Sequence, residues 1–253
     1  MNPFYFGSND RRLFGIYTPR HGGTSSANAV VMCGPWGQEY LRSYRSLKHL
    51  STLLSRGGVD VLRFDYYGTG DSAGDMGDGE LAGWETDIET AIDELKDTTS
   101  APQVGLVGLR LGATLAARVA ARRDDIDRLA LWDPVVTGEE YLNDLDRTVA
   151  EVAFQNGNTP EGIGPAGERS VLGFPLSEKL ARDIATLNLA DSLPTLPART
   201  LILASQPLPS HTQMRSQHAI EDYPSPSVWL EDANTGIGAM PVPLIQHLAG
   251  WLR

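Results

Sequence analysis

The sequence predicts an α/β architecture: a mostly parallel sheet with helices on both faces. Three observations carry this. Short apolar runs recur without polar alternation, as expected of strands buried on both faces. Segments with apolar residues at three-to-four spacing separate them. Glycine and proline punctuate the joints. The chain has 253 residues, enough for one large domain of this kind.

The elements follow in order. Phe4–Phe6 and Arg12–Thr18 have β-branched and aromatic character around a turn-rich GSNDR, and predict an antiparallel opening pair. HGGTSSAN (21–28) is a loop. Ala29–Cys33 (AVVMC) is a buried strand, broken by Gly34-Pro35-Trp36-Gly37. Arg42–Arg56 predicts a helix, with Leu47, Leu50, Leu53 and Leu54 on one side and Gly57-Gly58 as its stop. Val59–Phe64 is the next strand, and Asp65 to Gly74 a glycine-rich loop. Leu81–Lys96 is a helix with Trp84, Ile88, Ile92 and Leu95 at helical spacing. Val104–Val107 is a strand, Ala113–Arg122 a helix and Leu129–Trp132 a strand ended by Asp133-Pro134.

The alternation then stops. Residues 138–197 contain two helical stretches, Glu139–Phe154 and Ser177–Leu187, around a Gly/Pro/Asn-rich segment, Gln155–Gly167, and no core strand. They predict a helical cap or lid, with Phe154, Leu172, Phe174 and Leu176 as an apolar ceiling. Thr200–Ala204 resumes the sheet, Ser227–Leu230 predicts its last strand and Val242–Leu252 a closing helix. Residues 1–137 and 198–253 thus form the core domain.

Composition narrows the function classes. A formal net charge of −11 argues against a nucleic-acid backbone or an anionic membrane as partner. No apolar stretch approaches the roughly 18–20 residues that a span needs, and the N-terminus has no leader pattern. The one cysteine, Cys33, forbids an intrachain disulfide and fits a cytoplasmic setting. No metal-ligand cluster, P-loop or dinucleotide fingerprint is present, so no metal or cofactor is expected.

Three stretches carry a family resemblance: CGPWGQEY after the strand at 29–33, VLRFDYYGTGDSAGD after the following strand, and VGLVGLRLGATLA. With LALWDPVV they cover most of residues 29–137. The chain resembles the α/β-hydrolase superfamily, and within it the S33 aminopeptidase/lipase-like branch. GLRLGA and WDPVV also resemble a bacterial group of hydrolase-like proteins associated with exosortase systems. The resemblance implies an oxyanion-hole loop at Trp36-Gly37. It also implies a nucleophile elbow at Gly108-Leu109-Arg110-Leu111-Gly112, the position of G-x-S-x-G.

There the pattern departs. Arginine stands where the serine belongs. A guanidinium stays protonated and only donates hydrogen bonds, so it cannot attack a carbonyl. The strand at 200–204 is followed by Ser205-Gln206-Pro207, with no carboxylate; Asp133 fills an alternative acid position one strand earlier. The segment Glu231–Gly238 contains no histidine; His247 falls in the last helix, expected on its outer side, and His211 and His218 lie near the penultimate strand. Gly70-Asp71-Ser72-Ala73-Gly74 matches G-x-S-x-G in letters but sits in a loop, where Ser72 and Asp65 shape the backbone.

The expected site therefore comprises Arg110, Asp133, Glu39 and Cys33, with Trp36, Gly37, Leu111, Tyr66 and Tyr67 as ligand contacts, the first, second and third of these by backbone amide or wall. Arg110 either clamps a ligand anion or is locked to Asp133 or Glu39. Cys33 is either an alternative nucleophile or a small core residue. Tyr66 and Tyr67 line the pocket or pack. The leading reading is binding of a small anionic or acyl ligand without serine-type hydrolysis. The alternatives are an unconventional hydrolase, acyltransferase or lyase using Arg110 as charge stabiliser, and a structural partner with a filled pocket; a homodimer or a pathway protein is left open as partner.

Overall fold

The computed structural model describes residues 1–22, 28–155, 169–205, 219–229 and 239–253. Among these, eight strands form one sheet in the order β1-β2-β4-β3-β5-β6-β9-β10. β1 (Asn2–Ser8) and β2 (Arg11–Thr18) are the antiparallel opening pair, and β2 runs antiparallel to β4 (Asp60–Phe64). From β4 onward every pairing is parallel: β3 (Ala29–Cys33), β5 (Val104–Leu109), β6 (Ile126–Trp132), β9 (Thr200–Ala204) and β10 (Ala219–Asp222). Every residue of β3, β4, β5 and β9 is buried, which is why β3, β5 and β9 read as nearly continuous apolar runs, while β4 buries the charged Asp60 and Arg63 as well.

Helices cover both faces. α2 (Leu81–Thr99) and α3 (Leu111–Ala120) bury Trp84, Ile88, Ile92 and Leu115 against Leu62, Leu106 and Leu131. α1 (Gln38–Arg56) and α6 (Val242–Trp251) bury Leu47, Leu50, Leu54, Leu244 and Leu248 against Val30, Met32, Val61 and Trp132 on the opposite face. α1 starts four residues before the predicted Arg42, so Glu39 falls in its first turn. α3 likewise starts earlier than predicted, directly after residue 110.

Between β6 and β9 lie α4 (Gly138–Gln155), a two-stranded hairpin of β7 (Ser170–Val171) and β8 (Phe174–Pro175), and α5 (Glu178–Ala185). Ser177 caps α5 by accepting the Leu180 N–H. The predicted apolar ceiling is corrected in part. Phe154 is 85% exposed, whereas Leu176 is buried in the core.

The last strand is a second correction. Val228 and Trp229 form a turn, and the strand that pairs with β9 is β10, in AIED. That stretch is two apolar residues followed by two acidic ones, neither an alternation nor an apolar run, so it carries no strand signal to read. Residues 230–238, with Leu230 and the Glu231–Gly238 segment, lie outside the described residues, as do His211, His218 and the 156–168 stretch. No described helix is long and apolar enough to cross a membrane.

Candidate functional site

Residue 110 occupies the sharp corner between β5 and α3. Its backbone has φ 54° and ψ −123°, a region that non-glycine residues rarely adopt. Flanking glycines make the corner fit. A Cβ on Gly108 would stand 2.4 Å from the Ala113 Cα, and one on Gly112 would stand 2.2 Å from the Gly34 carbonyl. The corner is thereby pressed against the loop that follows β3. The Arg110 N–H donates to the Trp132 carbonyl at 3.1 Å, which ties the turn to the end of β6. The first N–H groups of α3, beginning with Leu111, have no acceptor within the helix and carry the positive end of its dipole.

The Arg110 side chain is largely buried and meets three groups. Its Nε donates to Glu39 Oε1 at 2.9 Å. The guanidinium lies 4.7 Å from the ring centre of Trp229 and 5.4 Å from that of Tyr141. The Tyr141 hydroxyl donates to Glu39 Oε2 at 2.9 Å, so both carboxylate oxygens are engaged. Among the described residues, no acceptor is bonded to the two Nη nitrogens of Arg110. Burial is the largest single influence and works against the charged guanidinium, but the charge and hydrogen bond of Glu39, with Tyr141 and Asp133, together outweigh it and hold Arg110 more firmly protonated than usual.

Asp133 stands beside this cluster at φ 44°, at the end of β6. It does not pair with Arg110. Its Oδ1 accepts the Ser205 N–H at 2.6 Å and its Oδ2 the Ser205 hydroxyl at 2.8 Å. Burial pushes its carboxyl up to about 6, against the Ser205 bonds and the Arg110 field, which pull it down. Of the two partners the sequence offered Arg110, Glu39 is the one that bonds it.

These groups line a cavity of about 430 Å³, walled by Trp36, Val135, Val136, Leu145, Val171 and Leu172 and reached past Arg42, Glu140, Asp144, Arg147 and Glu151. A second cavity of about 450 Å³ lies on the other side of the Trp36-Gly37 turn, with Tyr66, Phe64 and Phe174 in its wall. Phe174 meets Trp36 edge to face at 6.3 Å and joins it in the wall of this second cavity.

The remaining expected residues separate. Trp36 lines both cavities, and Gly37 and Tyr66 line the second. Tyr67 lines neither; its ring supports the Arg11 guanidinium at 4.4 Å and its N–H donates to Asp87. The Leu111 side chain is core. Cys33 is 1% exposed, lines neither cavity, and burial pushes its thiol up, the reverse of an activated thiolate. Ser72 donates to the Asp65 carbonyl at 2.6 Å and accepts the Phe14 N–H at 2.8 Å, a loop-shaping role. His247 sits 2.6 Å from Glu221 on β10. Among the described residues no cluster of metal-ligating side chains occurs. Tyr141, Trp229 and Ser205 are site residues that pattern reading missed.

The sequence matches the family described as serine aminopeptidase, S33 over residues 29–160, slightly more than half of the chain. The chain belongs to this family. Among curated proteins none matches it. Similar solved structures include DcsB in complex with its substrate analogue, at 13% identity and TM-score 0.66, covering 100% of this chain and 98% of that one. Proline iminopeptidase of Mycobacterium smegmatis aligns at 12% identity and TM-score 0.64, covering 99% and 97%. Est1E of Butyrivibrio proteoclasticus, bound to ferulic acid, aligns at 19% identity and TM-score 0.57, covering 79% and 77%. At these identities the likeness is one of fold: the chain has the α/β-hydrolase fold, with its mostly parallel sheet and surrounding helices.

Proposed function

We propose that this chain is an α/β-hydrolase-fold protein that binds a small anionic ligand, a carboxylate, acyl or phosphate-bearing molecule, at Arg110 without serine-type hydrolysis. In this reading the β5–α3 corner is the family's nucleophile elbow, with arginine in place of serine, as in the exosortase-associated hydrolase-like type. Among the described residues no histidine lines the cavity to replace the missing base, and residues 138–197 act as the cap over the cavity. The observation that carries the reading is the division of labour on one guanidinium. Nε is committed to Glu39, while both Nη donors are uncommitted among the described residues on a side chain that lines the cavity. Two parallel N–H groups suit a carboxylate or phosphate. The amides at the start of α3 and at Trp36-Gly37 supply further donors for the same charge. Glu39 keeps the empty site neutral, so the guanidinium is not stranded.

The test titrates the full chain calorimetrically with hexanoate, 4-methoxybenzoate and inorganic phosphate, beside a fluorophosphonate labelling assay. One of the anions binds, Arg110→Gln weakens it about 10- to 100-fold, and no serine is labelled. Labelling, or ester hydrolysis lost in Ser72→Ala or Cys33→Ala, overturns the reading; so does anion binding unchanged in Arg110→Gln.

A further inference from the structure

The second cavity holds a different chemistry. Its wall is aromatic: Trp36, Tyr40, Phe64, Tyr66 and Phe174 all contribute, together with two acidic residues, the buried Asp65 and the exposed Asp75. Leu41 and Met76 also line it and are 59% and 53% exposed, so the cavity communicates with solvent through a largely apolar rim that carries Asp75.

Asp65 is 8% exposed, and among the described residues it has no ion pair. Its Oδ1 accepts the Tyr40 hydroxyl at 2.7 Å and its Oδ2 the Asp71 N–H at 3.0 Å, both neutral donors. The field of Arg63 reaches it, but that guanidinium rests over the Tyr44 ring at 5.3 Å, its Nε and Nη2 without acceptors. The loop is built to hold the carboxylate in place. Gly70, at φ 53°, lies so close that a Cβ there would stand 2.1 Å from Asp65 Oδ2. A buried carboxylate is expensive unless paired. Here the burial penalty also holds its proton more tightly than usual.

A carboxylate at the wall of an aromatic chamber attracts one class of small molecule. The ring faces favour a positive charge, the carboxylate gains the counter-ion it lacks, and the apolar walls bury a hydrocarbon body. The protein's overall negative charge draws such a ligand inward.

We propose that this cavity is a binding site for a protonated amine carrying an apolar or aromatic body, its ammonium on Asp65 and its body against Trp36 and Phe174. The site is separate from Arg110 and does not depend on the anion-binding reading.

The experiment is calorimetric titration of the full chain at neutral pH with 2-phenylethylammonium and, in parallel, its neutral counterpart 2-phenylethanol. The cation binds at least about tenfold tighter than the alcohol. Asp65→Asn, whose carbonyl still accepts the Asp71 N–H while its amide NH2 donates to the Tyr40 hydroxyl oxygen, removes most of that preference. Because Asp65→Asn can disturb the loop, the exposed rim gives a second handle. Leu41→Lys weakens the cation about fivefold, Leu41→Glu strengthens it by a similar factor, and both leave the alcohol unchanged. Arg110→Gln leaves cation binding intact. Equal binding of cation and alcohol, no binding of either, or rim charges without effect on the cation overturns the proposal.

Discussion

Two buried charges stand on either side of the Trp36-Gly37 turn, and the chain treats them oppositely. At the end of β5, Arg110 is neutralised by Glu39, which Tyr141 supports in turn. At the end of β4, Asp65 has only neutral donors. The first arrangement is stable when empty, and a ligand anion must share the guanidinium with Glu39. The second leaves charge uncompensated, so an incoming counter-ion gains more there. The lesson is that a partnered charge positions a ligand, while an unpartnered one recruits it.

The comparison can be broken most forcefully at Glu39. Glu39→Ala strands a buried guanidinium and should destabilise the fold by about 3–5 kcal/mol, read as a lowered midpoint in urea. The same variant should bind the test anion more tightly, because the internal competitor is gone. Weaker anion binding in a folded Glu39→Ala protein would mean that Glu39 orients Arg110 rather than competes for it.

Asp133 sharpens it next. Its carboxyl is raised to about 6 in the folded chain, against about 4 when unfolded. Between those values the unfolded chain releases the proton first, so stability falls as pH rises through that window. Above about 6 the full penalty is present, some 2–3 kcal/mol. Asp133→Asn keeps the acceptor for the Ser205 N–H and should raise the melting temperature at pH well above 6, with little gain near pH 4. A gain equal at both ends would assign the effect to packing.

Tyr141→Phe should cost about 1–2 kcal/mol, since Glu39 Oε2 loses its donor in a buried place, and thermal melts can measure it. Ser72→Ala should be the mildest, about 1 kcal/mol from two loop hydrogen bonds, with anion and amine binding unchanged in calorimetry.

Much of the scaffold was legible in the chain. Strands such as AVVMC and TLILA are buried on both faces, so their uniform apolarity is itself the signal. The glycines around Arg110 announced the corner, because the same close approach that excludes a Cβ excludes other residues. Glu39 was foreseen as a partner of Arg110 because it follows the loop that faces the corner. Tyr141 and Trp229 were not foreseen: each reaches Arg110 from another part of the chain, and no local spacing encodes the meeting. Ser205 was passed over as the residue standing where a carboxylate was sought, yet it is what Asp133 bonds. The second cavity escaped because its buried carboxylate, Asp65, sits in a loop whose glycines looked sufficient explanation.

The unusual torsion at residue 110 belongs to the main chain, fastened by Gly108, Gly112 and the bond to Trp132 rather than by the guanidinium. Side chains at that address are consequently interchangeable guests on a fixed mount. A lineage can trade its chemistry there, in either direction, without first rebuilding the bend.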